Sequence, residues 1–407
     1  MNKKKKKIAW IVGNLEELGG GERLLLEGER FFSLNNFYVK IITWRFNKKA
    51  LFENRYRPSD IEVLSNVKKK VERSKILLTI YSKIKTFKKL YKILKEYNPD
   101  ILVCQNEYDM IITGFMGLIL KKKFIVIIFG QTYQFPYDNI KYSKVYKKHL
   151  IKIVNSCQGY KDSIPLTPPK LSFIDWILNN LLAYLRYFFI RRASNSFALS
   201  NQLIWEIETI FNIKPSLFCP GVSKKKLIDR KNKAISKKIN SKKIKFIMIN
   251  RLVKKKRVDL AIKSFKNINY NFELNVVGIG PEYNLLNDLI TKNNLQDKIF
   301  LRGSLTDNKL NNLIQNSDVF LNLDTADFNI TVYEAMSFGL HLILTTDYSL
   351  DNNIENYGKI SVIKPFVHDL TSNLKKINSN KNNEKINYEV INNYTWENNF
   401  EKIKKFI

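Results

Sequence analysis

The sequence of 407 residues contains little cysteine, and what it contains follows no disulfide or metal-binding pattern. The three cysteines, Cys104, Cys157 and Cys219, are odd in number and far apart, which argues against a disulfide framework and against the paired spacing of a zinc site. Free cysteines are typical of a reducing compartment. We therefore expect a cytoplasmic protein.

Long apolar runs are also missing. The lysine run at residues 3–7 is followed by only about six apolar residues before Asn14, which is too short for the core of a signal peptide. No segment reaches the roughly 20 apolar residues that a membrane-spanning helix needs. We therefore expect neither secretion nor a membrane-spanning segment.

Acidic residues are scarce, since 37 Asp and Glu stand against 69 Lys and Arg, for a net charge of +32. Such an excess predicts an anionic partner, which could be nucleic acid, a membrane surface or a phosphorylated substrate. The joint over-use of Asn, Lys and Ile also fits a gene rich in A and T, whose lysines simply cover solvated surfaces. Because the sequence has neither an aromatic-rich basic motif nor a helix-turn-helix pattern, we expect no nucleic acid partner.

The apolar residues, 44% of the sequence, have the spacing of an α/β protein. Short apolar runs typical of buried parallel strands alternate with helical patterns from residues 8–12 onward. After a polar, basic segment the alternation restarts at residues 245–250. This order predicts two Rossmann-like domains with a cleft outside the carboxyl ends of their strands. We assign the first domain to residues 1–223, a linker to 224–243 and the second domain to 244–389.

A long apolar helix is predicted at residues 171–192, in the least regular part of the first domain. Its polar residues fall within about 60° of one another at 100° per residue, which leaves a broad aromatic and aliphatic face. The polar residues are Ser172, Asp175, Asn179 and Arg186. Packing on the first domain would explain the apolar face. Insertion into a membrane interface would also explain it, together with the basic residues nearby, so both interpretations stay open. Those basic residues are Lys147, Lys148, Arg191 and Arg192.

Two loops in the second half carry side chains that suit a phosphate-bearing ligand. One holds five basic residues within 251–257, among them Arg251 and Lys256. In the other, a helix begins near residues 329–331, and a helix N-terminus presents N–H groups to phosphate. Glu334 lies one or two turns inside that helix, where its carboxylate can accept hydrogen bonds from hydroxyl groups.

The first half offers two further candidate segments. Gly20 and Gly21 stand at the start of a helical pattern, where glycine allows the backbone to come close to a ligand. The run also fits a flexible turn, and it is not the G-x-G-x-x-G fingerprint. The loop at residues 130–137 contains Gln131 and Tyr133 and suits an acceptor sugar or another polar substrate.

Along almost its whole length the chain resembles the retaining glycosyltransferases of family 4. Residues 250–253 with Lys256 are similar to the family's Gly-Arg-Leu signature and its following lysine, and residues 278–282 to its Gly-x-Gly-Pro-Glu turn. Residues 327–336 resemble the motif that carries the second of the family's two glutamates. The resemblance implies an α/β fold of two facing Rossmann-like domains, the glycosyltransferase B type, with the donor site in the cleft between them. It also implies a C-terminal tail, residues 390–407, that packs back on the first domain.

The resemblance implies roles for individual residues. Arg251 and Lys256 would hold the donor diphosphate and neutralise the charge that grows on the leaving nucleoside diphosphate. Glu334 would bind the ribose hydroxyls, and Gln131 and Tyr133 would contact the acceptor. The full set expected to contact the donor is Gly20, Gly21, Gly278, Gly280, Asn329, Ile330, Thr331 and Glu334.

The sequence departs from the family at two positions. The first of the family's two glutamates, which contacts the donor sugar, corresponds to Ala326, and Asp327 and Asp324 are close enough in sequence to substitute for it. We place Asp327 with Arg251 and Lys256 as the catalytic residues. The histidine that many members have after the strand at 124–129 is replaced by Gln131, which can hydrogen-bond a hydroxyl but cannot transfer a proton near neutral pH.

The resemblance therefore predicts a metal-independent hexosyltransferase without a cofactor. Its donor would be a nucleotide-diphosphate sugar and its acceptor a carbohydrate or a lipid-linked molecule, in the synthesis of cell-surface glycans or glycoproteins. An anionic membrane surface is a further candidate partner, at the cytoplasmic face. Ala326 and Gln131 also fit an alternative, a nucleotide-sugar-binding or partner protein whose turnover is impaired.

Overall fold

The computed structural model describes residues 5–16, 19–47, 58, 60–64, 76–130, 139–234, 243–325, 328–347, 354–379 and 386–407. These residues form two parallel β-sheets, one in each half of the chain, with helices on both faces of each sheet. The α/β fold class with two Rossmann-like domains is confirmed. Four residues named above, Gln131, Tyr133, Ala326 and Asp327, lie outside the described residues.

The first domain contains strands β1 (Lys6–Leu15), β2 (Phe37–Phe46), β3 (Ile61–Val63), β4 (Ile101–Gln105), β5 (Lys123–Ile128), β6 (Asn195–Ala198) and β7 (Ser216–Leu217). Its helices are α1 (Gly20–Leu34), α2 (Ile76–Tyr97), α3 (Asn106–Leu120), α4 (Lys144–Val154), α5 (Gln158–Ser163), α6 (Phe173–Ile190) and α7 (Asn201–Phe211), with a short 3₁₀ helix at Asn139–Tyr142.

The strands of the second half are β8 (Ile244–Ile249), β9 (Phe272–Val277), β10 (Ile299–Gly303), β11 (Val319–Asn322), β12 (His341–Thr345) and β13 (Ile360–Ile363). The helices are α8 (Lys224–Ala234), α9 (Val258–Phe265), α10 (Tyr283–Lys292), α11 (Asp307–Gln315), α12 (Ile330–Ser337), α13 (Val367–Ser379), α14 (Tyr388–Asn392) and α15 (Trp396–Lys404). Short 3₁₀ helices lie at Lys254–Lys256 and Ile354–Tyr357.

The order of strands fixes where a ligand can bind. The first sheet has the order β3-β2-β1-β4-β5-β6-β7 and the second β10-β9-β8-β11-β12-β13. In both sheets the direction of winding reverses beside a central strand, between β1 and β4 and between β8 and β11. Open parallel sheets bind ligands outside the carboxyl ends of the strands at such a reversal. The loops after these four strands therefore hold the candidate site.

The central strand of the first sheet shows why it forms. Successive residues of β1 point to opposite faces, so Ile8 and Trp10 join the core on one side and Ala9 and Ile11 the core on the other. All four side chains are completely buried. An unbroken apolar run is therefore what a strand buried on both faces requires.

The final helix, α15, lies on the first domain although it follows the second in sequence. Its Phe400 is completely buried, with its ring 6.4 Å from that of Trp10, 5.9 Å from Phe32 and 5.2 Å from Phe218. At the start of α15, Trp396 donates its backbone N–H to the carbonyl of Val222 at 3.0 Å. The chain thus passes between the domains twice at neighbouring points.

The segment expected to be a linker begins with a helix, α8. Leu227 is buried, and Arg230 donates to Ser337 Oγ at 2.7 Å with its guanidinium 3.9 Å from the ring of Phe338. These contacts attach α8 to the second domain. The anchoring residues, Leu227 and Arg230, are only one helical turn apart. Most of the residues around them are lysine or polar, so the sequence shows no longer helical pattern.

Helix α6 occupies most of the apolar segment expected at 171–192. Ser172 caps it by accepting from the backbone N–H of Asp175 at 3.1 Å. Its C-terminal half packs closely on α3, where Gly114 leaves room for Phe189, since a Cβ there would lie 2.2 Å from that ring. In the parts of the chain that the structure describes, no helix is long and apolar enough to span a membrane.

We expect Phe400→Ala to lower the free energy of unfolding by about 3–5 kcal/mol, because it removes a fully buried ring and leaves a cavity. Urea unfolding followed by tryptophan fluorescence measures the change. Leu34→Ala on α1 is the control, since Leu34 is 75% exposed and should change the stability by less than about 0.5 kcal/mol. Equal effects of the two substitutions would contradict the packing of α15 on the first domain.

Candidate functional site

The basic loop after β8 lies at the reversal point of the second sheet. Arg251 is exposed where the strand ends, and Lys256 closes the short 3₁₀ helix that follows. The ammonium of Lys256 forms an ion pair with the carboxylate of Asp324, which is completely buried after β11. Asp324 also accepts from the backbone N–H of Thr325 at 2.8 Å. The structure thus fixes one cation at the point where β8 and β11 separate.

Gly278 and Gly280, after β9, have a structural reason to be glycine. Gly278 has a φ of +141°, and a Cβ there would lie 1.8 Å from the carbonyl oxygen of Asn250. A Cβ on Gly280 would lie 2.2 Å from the carbonyl oxygen of Leu252. The two glycines therefore let the backbone after β9 pack directly on the loop that carries Arg251, so they shape the site by backbone contact.

The start of α12 forms the opposite side of the site. Asn329 caps this helix by accepting from the backbone N–H of Thr331 at 3.1 Å and from its hydroxyl at 2.7 Å. The amide of Asn329 donates to Asn322 Oδ1 at 2.9 Å. The cap binds the loop after β11 to the helix, and it engages the Thr331 N–H that was expected to meet phosphate.

Glu334 of α12 pairs with a residue from the other domain. Arg23 Nη2, on α1, donates to Glu334 Oε1 at 2.8 Å, and the two side chains are 11% and 9% exposed. Burial by itself would raise the pKa of Glu334, but the guanidinium of Arg23 outweighs it and holds the pKa below its ordinary value. The carboxylate is therefore ionised and accepts hydrogen bonds only.

The glycine run of the first domain lies beside this ion pair. A Cβ on Gly20 would lie 3.5 Å from Ile330 Cδ1, at the start of α12, and a Cβ on Gly21 would lie 3.1 Å from the ring of Phe129. The structure thus brings Gly20 together with the helix that carries Glu334, whereas Gly21 faces the exit of β5.

A second contact across the cleft involves α5. Asp347, after β12, accepts from the backbone N–H groups of Gln158 and Gly159, both at 2.9 Å. Arg257 donates to the same carboxylate at 2.6 Å. A Cβ on Gly159 would lie 2.1 Å from the side chain of Thr325. The first domain therefore touches the loops after both β11 and β12.

Asp109 holds the carboxyl-terminal part of β1 in the first domain. Its Oδ2 accepts from the backbone N–H of Gly13 at 2.9 Å and from the Asn106 amide at 3.0 Å. Burial raises the pKa of Asp109 to about 7, and these hydrogen bonds only partly oppose the shift. The exit of β1, which leads to the glycine run, is thus held by a carboxyl group that titrates near neutral pH.

The predicted site residues are only partly assembled by the described contacts. Arg251 and Lys256 lie on the loop after β8, and Asn329 and Glu334 lie at and within the start of α12, which follows the loop after β11. Sequence reasoning assigned no role to Arg23, Arg257 or Asp347. Arg23 carried a usable signal, because an arginine near the positive N-terminal end of a helix is unfavourable unless a carboxylate faces it. Among the described residues, no three His, Cys, Asp or Glu side chains come together as a metal-binding group.

We expect Arg23→Ala to destabilise the protein by about 3–5 kcal/mol, since it leaves the Glu334 carboxylate buried and unpaired. Arg23→Met with Glu334→Leu should recover a large part of the loss, and a double-mutant cycle by urea unfolding measures the coupling. The control pair is Lys92 and Glu96 on α2, whose side chains are 77% and 67% exposed. Its coupling should be about 0.3–0.5 kcal/mol, and an equally small value for Arg23 and Glu334 would contradict the buried pair.

We also expect a pH-dependent effect of Asp109→Asn. The folded-state pKa of about 7 lies above the ordinary 3.8, so protonation stabilises the folded state at low pH and this contribution is lost as the pH rises to 7. Relative to the variant, the free energy of unfolding of the wild type should therefore fall by a few kcal/mol between pH 4 and 7, at roughly 1.4 kcal/mol per pKa unit. Chemical unfolding at several pH values measures this difference. The exposed Asp288→Asn serves as control, and a pH-independent difference for Asp109→Asn would refute the shift.

The second half of the chain is similar in sequence to a known family. Residues 229–394 match the family model described as glycosyl transferases group 1. No curated protein sequence matches the chain significantly.

Solved structures match the fold over nearly the whole chain. Sucrose-phosphate synthase from Thermosynechococcus elongatus has a TM-score of 0.69 at 13% identity, over 98% of each chain. Anabaena HepE in complex with UDP-glucose has a TM-score of 0.64 at 12% identity, and the lipopolysaccharide outer core galactosyltransferase WaaB has 0.62 at 15% identity, again over 98% of each chain. Residues 229–394 are therefore similar to the glycosyl transferases group 1 family, within a chain that has the fold of these solved structures.

Proposed function

We propose that this protein is a retaining glycosyltransferase of the family 4 type, which moves a hexosyl group from a nucleotide-diphosphate sugar to a carbohydrate or lipid-linked acceptor. The observation that supports this most is the arrangement of Arg251 and Lys256 on the loop after β8 and of Glu334 on α12, at the reversal point of a domain similar to glycosyl transferases group 1. That point is where an α/β sheet binds its ligand. The same residues match the family's donor motifs in order and spacing.

Arg251 and Lys256 are suited to the diphosphate. Lys256 is held in place by Asp324, so its charge does not have to be oriented when the donor binds. Arg251 is exposed and can form two parallel hydrogen bonds with phosphate oxygens. Fixed cations at this point stabilise the negative charge that develops on the leaving diphosphate, which is where such a reaction needs most assistance.

Glu334 is suited to the ribose. Its ionised carboxylate accepts hydrogen bonds, and one oxygen is bound by Arg23. The second oxygen would then accept from a ribose hydroxyl. Because Arg23 belongs to the first domain, binding of the nucleoside and contact between the domains would stabilise each other.

In the transfer step, the bond between the anomeric carbon and the diphosphate oxygen breaks, and the acceptor hydroxyl oxygen bonds to that carbon on the same face. The hydroxyl proton passes to the departing phosphate oxygen. No protein base is required, so Gln131 in place of histidine is compatible with turnover. The rate then depends on positioning and on leaving-group stabilisation.

Asp324 and Asp327 are the two candidates to replace the family's first glutamate in contacting the donor sugar. Both oxygens of Asp324 are already bound, by Lys256 and by the Thr325 N–H, which argues against a contact with sugar hydroxyls. We therefore keep Asp327 as the proposed partner of the donor sugar. We further propose that the enzyme needs neither metal nor cofactor and works in the cytoplasm on cell-surface glycans or glycoproteins.

The central test incubates the protein with a panel of uridine and guanosine diphosphate sugars and candidate acceptors, and measures release of nucleoside diphosphate. We expect Arg251→Ala to lower kcat/KM by about 10²- to 10³-fold, because it removes charge stabilisation from the transition state. Lys256→Ala combined with Asp324→Asn should have a similar effect without leaving a buried charge unpaired. The control is Lys254→Ala, an exposed lysine in the same loop. Full activity of both site variants would refute the assignment.

The same assay separates the alternative, a nucleotide-sugar-binding protein without turnover, which Ala326 favours. Isothermal titration calorimetry with each donor detects binding independently of activity. Tight donor binding without product for any acceptor would support the alternative. A wild-type protein that turns over, and that becomes faster with Ala326→Glu, would support the enzyme.

A further inference from the structure

Helix α6 turns two of its polar side chains, Asn180 and Arg186, toward the protein and most of its large apolar side chains away from it. Arg186 is 1% exposed and pairs with Glu107 of α3 at 3.0 Å. Asn180, also buried, accepts from the backbone N–H of Lys144 at the start of α4. Arg186 of the polar stripe therefore anchors the helix together with Asn180 and the buried apolar residues Ala183, Phe189 and Ile190. Packing on the first domain accounts for these inward residues and leaves the outward apolar side chains exposed.

The outward face is a continuous apolar stripe. At 100° per residue, its large side chains span an arc of about 140° along the whole helix. Their exposed fractions are 74% for Phe173, 68% for Ile174, 43% for Ile177, 49% for Leu178, 52% for Leu181, 53% for Tyr184 and 38% for Phe188. Exposed apolar surface of this extent marks a site of interaction.

Basic residues lie at both ends of the stripe. The ammonium of Lys144 lies 5.7 Å from the ring of Trp176 near the start, and the guanidinium of Arg192 lies 3.6 Å from the ring of Phe188 at the end. Lys147 and Lys148 of α4 are also exposed. Across residues 139–192 there are ten lysines and arginines against two aspartates. The surface around the apolar stripe is therefore strongly positive.

We infer that the outward face of α6 inserts into the surface of a membrane that carries anionic lipids, with the surrounding lysines and arginines at the headgroups. The apolar helix face with its aromatic residues matches the acyl-chain boundary of such a membrane, and the basic residues that border it match the anionic headgroups. A second copy of this chain fits the surface poorly, because pairing would bring two strongly positive surfaces together.

The orientation of α6 relates the membrane to the cleft. Arg186 meets Glu107 near the start of α3, at the carboxyl end of β4, while Phe189 meets the middle of α3. The part of α6 before Arg186 therefore extends about 20 Å beyond the start of α3, at 1.5 Å per residue, on the side where the cleft opens. Resting on the proposed function, this places the first domain's side of the cleft at the bilayer and favours a lipid-linked acceptor.

The test sediments the full-length protein with vesicles of phosphatidylcholine alone and of phosphatidylcholine with phosphatidylglycerol. We expect binding to the anionic vesicles that is at least about tenfold stronger than to the neutral ones and is weakened by salt. Brominated lipid should quench the tryptophan fluorescence of the wild type more than that of the Trp176→Phe variant. Absence of binding, or equal binding to both vesicles, would overturn the inference.

Two variants locate the surface. Phe173→Ser with Ile177→Ser and Leu181→Ser should lower binding about tenfold or more, and Lys144→Glu with Lys147→Glu and Lys148→Glu should abolish the preference for anionic vesicles. The matched controls change exposed residues elsewhere, Leu34→Ser with Leu285→Ser for the apolar set and Lys263→Glu with Lys266→Glu and Lys292→Glu for the charged set. Equal loss in variants and controls would refute the assignment to α6.

Sedimentation velocity of the same variants tests whether a second copy of this chain binds this face instead. A dimer that the apolar variant abolishes, without vesicle binding by the wild type, would overturn the inference in favour of self-association. Vesicle binding is measured without a donor, so its failure and failure of the proposed transferase activity are separate results. Transfer to a lipid-linked acceptor in vesicles should fall in the apolar variant while donor binding stays unchanged, and unchanged transfer would contradict the proposed orientation.

Discussion

The buried ion pair between Arg23 and Glu334 is the interaction on which the arrangement of the two domains depends. Removing two charged groups from water is costly, and the cost is compensated only when the groups meet at close range with good geometry. That geometry requires α1 of the first domain to lie beside α12 of the second. The charge of Glu334, the contact between the domains and the shape of the proposed donor site are thus consequences of one interaction. The contact of Asp347 with α5 stabilises the same arrangement from the other side of the cleft.

The rest of the site follows from how the strands end. The backbone after β9 lies directly on the backbone after β8, which only glycine at positions 278 and 280 permits. This contact holds the loop that carries Arg251. Asp324 holds Lys256, and Asn329 ties α12 to β11. The cations and the carboxylate that we assign to the donor are therefore positioned by neighbours that need not touch it, which is the condition for electrostatic stabilisation without reorganisation.

Different residues differ in how far the sequence could predict them. The unbroken apolar run of β1 and the amphipathic pattern of the helices are local, so the alternating strands and helices were predictable. The helix that carries Glu334 was also predictable, because an apolar run precedes it and a capping asparagine starts it. Helix α8 was missed, because one turn of anchoring residues is too short a pattern among many lysines. The pairing of Arg23 with Glu334 was missed because no local rule connects two residues at opposite ends of the chain.

By itself, the sequence determined the α/β class, the two-domain order and the residue types of the candidate site, because periodicity and composition act over a few turns of chain. The tertiary structure alone decided which faces meet. The polar stripe of α6 shows the difference, since the sequence specifies that Arg186 and the apolar residues lie on opposite sides. Only the position of Glu107 on a neighbouring helix decides that the polar side turns inward. Burying a charge requires a partner of opposite charge, and that partner can come from anywhere in the chain.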